Sequence, residues 1–257
     1  MDFMRHKLLF LPFLVAIVGL SIVGQRDPVD AAPLAVPAPQ GPLVVELFTS
    51  QSCSSCPPAD ALLSELATQN KDIIALSCHV TYWDHLNWRD TLSHKFCSDR
   101  QRAYARQMEK RQVYTPQMVV NGHHEFVGSN RTEALRSIQS GTVQPIVLEH
   151  SDGQNLTATL PALTQGPNLQ TLWLISYQTS TTQAITSGEN GGRTVTYTNS
   201  VDTLEQVGTW SGEAQTLSFP RPKADPDEPP ADSAATRGYA LIAQPYGFGP
   251  ITAAGKL

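Results

Sequence analysis

The sequence predicts a mixed α/β fold, in which a central mixed sheet with flanking helices is followed by a C-terminal β-rich antiparallel unit. Between residues 41 and 141, apolar runs of strand length alternate with amphipathic helical patterns, the order typical of parallel strands joined by crossover helices. The dipeptide Asn121-Gly122 divides an apolar stretch and predicts a hairpin. After Pro145, apolar and polar residues alternate in segments rich in Thr, Val and Tyr, which indicates half-buried antiparallel strands.

The first part of the chain is expected to contain six elements. Pro57 suits the first turn of a helix, where no backbone N–H is needed, and Gly141 suits a helix end. In order, the predicted elements are a strand at 41–50, a helix at 57–70, a strand at 72–80, a helix at 91–112, a hairpin at 114–128 and a helix at 131–141.

The N-terminal segment 1–31 is predicted to be a secretory signal, with a basic start, an apolar run at 8–24 and a small-residue cleavage box that ends at Ala31. The alternative is an uncleaved anchor, since the run is near the lower limit for a membrane span. Both interpretations export the remaining chain, so we expect a periplasmic or secreted protein that touches a membrane only if the signal is retained.

The rest of the chain is divided by its strand pattern. A linker at 32–41 precedes a domain at 42–142, and the β-rich unit occupies 143–257. That unit is either an independent small domain or an extension that covers the first. The chain of 257 residues is long enough for a sizeable core. Its net charge of −5 gives no electrostatic case for binding nucleic acid.

A Cys-x-x-Cys pair, Cys53 and Cys56, lies where the first strand meets the first helix. A helix N-terminus carries unpaired N–H groups and partial positive charge, which favour a thiolate over a thiol. Cys53 is then expected to be the exposed nucleophile and Cys56 the resolving cysteine. Zinc sites use the same spacing, but they normally need a second such pair, and Cys78 and Cys97 are too far apart to form one.

Several long motifs resemble one bacterial family. "VVELFTSQSCSSCPPAD", "HVTYWDHLNWRD", "VYTPQMVVNG" and "GENGGRTVTYTNSV" are similar to DUF1223, a family of secreted thioredoxin-like proteins of unknown function. The resemblance covers nearly all of the chain after about residue 42. It implies a thioredoxin-like fold for 42–142, with Cys53 and Cys56 as the redox pair. It does not imply an established activity, since fold does not fix function.

Two further site residues follow from this resemblance. It implies that Pro116 is a cis-proline that lies against the cysteine pair and positions the substrate strand; the alternative is an ordinary trans proline at the entry of an edge strand. It also implies that Glu46, in the first strand, is a buried acid that exchanges protons with Cys56. The alternative is that Glu46 faces solvent or pairs with an Arg or Lys.

Cys78 and Cys97 are expected to form a structural disulfide, because export places them in an oxidising compartment. The alternative is two buried free thiols. The aromatic loop that follows the second strand, with Trp83 and Trp88, either fills the interface with the β-rich unit or forms a lip over the cysteine pair.

The sequence therefore predicts an exported thiol–disulfide oxidoreductase that acts through Cys53 and Cys56. Its partners are the thiols and disulfides of other exported proteins and a redox partner protein. No dissociable cofactor is expected, because the cysteines are the redox group. The alternative is a non-catalytic thioredoxin-like binding module or a copper carrier that uses the same thiols, with His79 as a further ligand.

Overall fold

A computed structural model of the chain describes residues 41–257, except residue 140 and the segments 152–153, 164–168 and 223–236. The predicted signal at 1–31 and almost all of the predicted linker lie outside the described residues. Within the described ranges, no helix is long and apolar enough to cross a membrane.

The elements of the first part follow the predicted order. The helices of the described chain are α1 (Pro57–Gln69), α2 (Lys95–Gln107) and α3 (Arg131–Gln139), with a short 3₁₀ turn at Thr81–Trp83. The strands are β1 (Leu43–Thr49), β2 (Ile73–His79), β3 (Gln117–Val120), β4 (His124–Val127), β5 (Gln144–Pro145), β6 (Val147–His150), β7 (Asn155–Leu160), β8 (Gln170–Ala184), β9 (Thr194–Trp210), β10 (Gln215–Pro220), β11 (Arg237–Pro245) and β12 (Ala253–Lys256).

Helix α2 is shorter than the predicted helix at 91–112. The chain before it is held in a turn, because Asp90 accepts hydrogen bonds from the N–H groups of Leu92 and Ser93. The helix ends where Glu109 takes a left-handed conformation, with φ of 54°. The Lys110 N–H then returns to the Ala105 carbonyl, a common way of ending a helix.

The predicted mixed sheet is present and, among the described residues, has nine strands in the order β4-β3-β1-β2-β9-β8-β11-β12-β5. Strands β1 and β2 are parallel, and β3 runs antiparallel to β1. The predicted hairpin turn is confirmed: Asn121 and Gly122 have φ of 48° and 69°, and the His123 N–H bonds to the Val120 carbonyl.

Strands from both sides of residue 143 belong to this one sheet. Strand β9 lies beside β2 in parallel, and β8 and β9 form a long antiparallel hairpin. Strands β10, β7 and β6 form a separate antiparallel sheet. The β-rich part therefore extends the sheet of the first part.

The pleat of β1 divides the core between the two faces of the sheet. Val45 and Leu47 pack on one face with α1 and α3, whereas Val44 and Phe48 pack on the other face with α2. A third apolar cluster, which includes Trp210, joins the small sheet to β8 and β11.

One ion pair lies inside the α2 face of the core. The Arg100 guanidinium donates to both carboxylate oxygens of Glu46, at 2.5 Å and 3.1 Å, and each residue is only 2% exposed. The Tyr104 hydroxyl donates to the same carboxylate. The two bonds pair the opposite charges, while Arg100 Nη1 is buried with no hydrogen-bond partner among the described residues.

We expect Glu46→Ala to lower the free energy of unfolding by about 3–5 kcal/mol, because it leaves the Arg100 charge buried without its partner. The measurement is urea denaturation with the disulfides intact. Asp99→Ala is a matched control, since it removes an exposed pair with Lys95 and should cost about 0–1 kcal/mol. Equal effects of the two variants would contradict the assigned role of the buried pair.

Candidate functional site

The Cys loop, residues 50–56, connects the carboxyl end of β1 to the start of α1. Cys53 and Cys56 are joined by a disulfide, with their Cα atoms 5.4 Å apart. Pro57 and Pro58 occupy the first positions of α1, and Cys56 precedes them as the N-cap residue. A missing N–H costs nothing there, so the prolines allow the helix to begin directly after the pair, as the sequence indicated.

The position of Cys53 differs from the prediction. It was expected to be the exposed nucleophile, but Cys53 is 1% exposed and Cys56 is fully buried. The turn between β8 and β9 covers the loop. The Asn190 amide donates to the carbonyls of Gln51 and Cys53, each at 2.9 Å, and Glu189 accepts a hydrogen bond from the Ser54 N–H.

Pro116 lies at the same end of the sheet as the Cys loop. The Thr115–Pro116 peptide bond is cis, as predicted. The next residue, Gln117, is opposite Phe48 in the β1–β3 pairing, so Pro116 stands at the carboxyl end of β1. Pro116 and Ala59, in the first turn of α1, both approach Gly128, where a Cβ would come within 3.2 Å of each. The proline therefore packs close to the start of the helix that carries Cys56.

A buried polar cluster lies on the α1 face beside the Cys loop. His79 Nδ1 and Asp90 Oδ2 are 2.8 Å apart, and the Thr49 hydroxyl donates to Asp60 Oδ1 at 2.8 Å. Asp90 Oδ2 also accepts the Gln51 N–H at 2.8 Å. Asp60 Oδ2 and His79 Nε2 are buried and have no hydrogen-bond partner among the described residues.

The three ionisable groups of this cluster affect one another. Burial raises the pKa of Asp60 from 3.8 to about 7, although His79 and the Thr49 bond partly offset it. Burial lowers the pKa of His79, but the charge and hydrogen bond of Asp90 outweigh this, and the net pKa is raised. Burial likewise raises the pKa of Asp90, but His79 and backbone donors outweigh it and lower the pKa. The pKa of Asp60 thus lies near neutral pH, and the shifts of His79 and Asp90 both favour the ionised form of that pair.

Glu46 does not lie in this cluster. Of the two alternatives for Glu46, the structure shows the ion pair, since both carboxylate oxygens bond Arg100 on the α2 face. Proton exchange with Cys56 finds no support in this geometry, because Cys56 begins α1 on the opposite face. Two other acids, Asp60 and Asp90, are buried beside the Cys loop, and Asp60 is the one whose pKa is raised. One signal could have identified it, because Asp60 follows Cys56 by four residues and so shares its helix face.

The second cysteine pair forms the expected disulfide. Cys78 and Cys97 are bonded, with Cα atoms 5.4 Å apart, and they join β2 to α2. Both are buried in the core cluster on the α2 face. Neighbouring residues of a strand point to opposite faces, so this bridge is separated by the sheet from the cluster that contains His79.

The aromatic loop contacts both parts of the molecule. Trp88 Nε1 donates to the Gln51 side chain, and the Ser52 hydroxyl donates to the Trp88 carbonyl. Gly188, in the β8–β9 turn, packs against the Trp88 side chain. Trp88 therefore fills a junction between the Cys loop and the β8–β9 turn. Within the described part of the chain, no group of three or more His, Cys, Asp or Glu residues is arranged to hold a metal ion.

The sequence model of a family described as "Protein of unknown function (DUF1223)" matches residues 44–235. The crystal structure of protein AGR_C_4864 from Agrobacterium tumefaciens is similar, with 28% identity, a TM-score of 0.68, and coverage of 84% of this chain and 93% of the other. HBP35 of Porphyromonas gingivalis, at 15% identity and a TM-score of 0.53, covers 84% of this chain and 74% of its own, and shows likeness of fold alone. The comparison with curated proteins found no match.

We expect the raised pKa of Asp60 to make the free energy of unfolding depend on pH. Between about pH 4 and about pH 7 the folded state binds more protons at Asp60 than the unfolded state, so the free energy of unfolding falls as the pH rises through that window. Asp60→Asn keeps an acceptor for Thr49 but does not titrate. The free energy of unfolding of this variant, minus that of the wild type, should rise by about 2–3 kcal/mol from about pH 5 to about pH 8, as measured by urea denaturation.

Asp72→Asn is the control for this comparison, because Asp72 is exposed and lies outside the cluster. Its difference from the wild type should stay constant over the same range. A constant difference for Asp60→Asn as well would show that Asp60 does not hold a proton near neutral pH.

Proposed function

We propose that this chain, which belongs to the DUF1223 family of proteins of unknown function, is an exported thioredoxin-like protein that exchanges thiols and disulfides with other exported proteins. The observation that carries the proposal is the Cys53–Cys56 disulfide at the start of α1, directly after the buried strand β1. Strand-to-helix junctions of this kind place a cysteine pair at the positive end of a helix, where a thiolate is stabilised.

The topology around the pair supports the thioredoxin-like assignment. The order of elements is β1-α1-β2-α2-β3-β4-α3, and four strands lie in the order β4-β3-β1-β2. Helices α1 and α3 cover one face of these strands and α2 covers the other. The cis peptide bond before Pro116 stands at the sheet end that carries the cysteines. Each feature agrees with what the family resemblance implies.

Export is supported by the state of the cysteines. All four form disulfides, and disulfides persist in oxidising compartments outside the cytosol. The predicted signal at 1–31 is consistent with such a route. The proposed partners are thus exported proteins that contain a reactive dithiol or disulfide, together with a redox partner protein.

The proposed exchange is a two-electron transfer in two steps. A thiolate of a partner dithiol attacks Cys53 Sγ, and a mixed disulfide forms as the Cys53–Cys56 bond breaks. The electron pair of that bond stays on Cys56 Sγ, which takes up a proton. The second thiol of the partner loses its proton and attacks the partner sulfur of the mixed disulfide, which releases Cys53 as a thiolate. The partner leaves as a disulfide, and the reverse sequence reduces a partner disulfide to a dithiol while the Cys53–Cys56 bond re-forms.

We assign to Asp60 the role of donating the proton that Cys56 Sγ takes up. It lies one helical turn after Cys56 and donates its own N–H to the Cys56 carbonyl. Its raised pKa allows the carboxyl group to lose or regain a proton near neutral pH. The ionised His79–Asp90 pair beside it carries no net charge, so protonation of Asp60 leaves the cluster neutral. Cys56 is buried, so a buried donor is needed for this step.

A non-catalytic binding module is the second candidate, and the burial of Cys53 favours it. In that case the Cys53–Cys56 bond only stabilises the loop. The two functions differ in reduction potential, since structural disulfides lie below about −300 mV. Equilibration of this disulfide with a dithiol buffer of known potential, read by mass spectrometry, separates them.

Cys56→Ser tests the proposed function directly. The variant keeps Cys53 as a free thiol but cannot resolve a mixed disulfide, so partner proteins should remain covalently attached to Cys53. The protein is purified from the exporting cell under acid quench and analysed without reductant. Disulfide-linked adducts that disappear on reduction are the expected result.

Cys53→Ser is the matched control, because it leaves the same number of thiols but removes the proposed nucleophile. It should yield few adducts. Equal adduct patterns in the two variants, or none in either, would refute the exchange function.

A further inference from the structure

The turn between β8 and β9 closes over the Cys loop through three hydrogen bonds. We call residues 187–192 of this turn the latch. The Asn190 side-chain amide donates to the backbone carbonyls of Gln51 and Cys53, and Glu189 Oε2 accepts the Ser54 N–H at 3.1 Å. On the side of the Cys loop, every group in these three bonds is a backbone group.

The latch is shaped to reach this position. Gly188 and Gly192 have φ of 74° and 84°, a conformation that favours glycine. A Cβ at Gly188 would come within 3.1 Å of the Trp88 side chain and within 3.2 Å of the Leu86 carbonyl. The Ser187 hydroxyl donates to the Asn87 carbonyl. The latch therefore also packs on the loop that follows β2.

The latch is held to the Cys loop by few groups. Asn190 is 1% exposed, whereas its neighbours from Thr186 to Glu189 and from Gly191 to Thr194 are exposed. Ile185 is buried at the base of the turn. Segments with few buried contacts open locally at lower cost than the strands that carry them. The turn can thus lift while the β8–β9 hairpin stays in the sheet.

We propose that the latch shields the Cys53–Cys56 disulfide from small thiols, and that an extended polypeptide opens it by taking over its three hydrogen bonds. Lifting the latch frees the Ser54 N–H and the carbonyls of Gln51 and Cys53, which are the groups that pair with an extended peptide. A small thiol offers no such groups. The choice of a polypeptide substrate rests on the proposed function, but the shielding of the disulfide does not.

Asn190→Asp tests the shielding. The change keeps the shape of the side chain, removes both N–H donors and places a carboxylate against two carbonyl oxygens. Reduction of Cys53–Cys56 by excess dithiothreitol should accelerate by about tenfold or more, which is the size expected when two hydrogen bonds of the closed state are lost. The rate is followed by acid quench, alkylation and mass spectrometry, which resolve the two disulfides separately.

Two controls accompany this variant. The buried Cys78–Cys97 disulfide, on the other face of the sheet, reports global opening, and its rate should not change. Thr196→Ala alters the same hairpin at an exposed hydrogen bond to Thr182, away from the Cys loop, and should leave both rates unchanged. Glu189→Ala, at an exposed site, removes one of the three bonds and should give a smaller, selective acceleration even if Asn190→Asp does not fold.

The polypeptide preference is tested with a linear peptide that carries two cysteines. At equal thiolate concentration the peptide should reduce wild-type Cys53–Cys56 faster than dithiothreitol does. In Asn190→Asp the ratio of the peptide rate to the dithiothreitol rate should be smaller. Equal rates of the two reductants on the wild type would overturn the preference. Unchanged dithiothreitol rates in Asn190→Asp and Glu189→Ala, or equal acceleration of both disulfides, would overturn the shielding.

The latch and the proposed function can fail separately. If Cys56→Ser traps no partner but Asn190→Asp still accelerates reduction selectively, the latch stands and the exchange function is refuted. If partners are trapped and the latch variants change nothing, the exchange function stands and the latch is refuted.

Discussion

The carboxylate of Asp90 is the constraint on which the geometry of this site depends. Its Oδ2 atom accepts the Gln51 N–H and bonds His79 Nδ1, and its Oδ1 atom accepts the Leu92 N–H. One buried side chain therefore joins the Cys loop, the end of β2 and the turn before α2. Its negative charge and hydrogen bond also raise the pKa of His79 despite burial, which by itself would lower it. The backbone bond to Gln51 fixes the loop two residues before Cys53, so the same group sets both the position of the cysteines and the charge of the cluster beside them.

The pleat of β2 separates the Cys78–Cys97 disulfide from the polar cluster beside the Cys loop. Cys78 and His79 are neighbours in sequence but point to opposite faces. Cys78 is bridged to Cys97 in an apolar core, where the disulfide strengthens the attachment of α2. His79 lies against Tyr197 of β9, among the polar groups beside the Cys loop. Glu46 shows the same division, because its side chain shares the α2 face and bonds Arg100 there. Glu46 therefore stabilises the core through its ion pair on the α2 face, although its strand leads directly into the Cys loop.

The local parts of the fold were predictable, and the parts that depend on distant contacts were not. The strand before the Cys loop and the helix after it could be predicted from an apolar run, two prolines and a leucine pattern, all within a few residues. The face on which Glu46 lies could not be inferred, because β1 is buried on both faces and has no alternation to mark register. The exposure of Cys53 depends on Asn190, which is 137 residues away in sequence. No periodicity in the sequence encodes such a contact.

The contact between Asn190 and the Cys loop joins the β-rich part of the chain to the cysteine pair of the first part. A unit that ended at residue 142 would contain Cys53, Cys56, the cis-proline and Asp60, and would appear complete. It would lack the latch, and Tyr197 would not cover His79. The family match at 44–235 spans both the Cys loop and the latch. Strand β9 adjoins β2 in the same sheet, so the hairpin that carries the latch is fixed relative to the cysteines. The β-rich part is therefore a component of the site, since it determines which molecules can reach the disulfide.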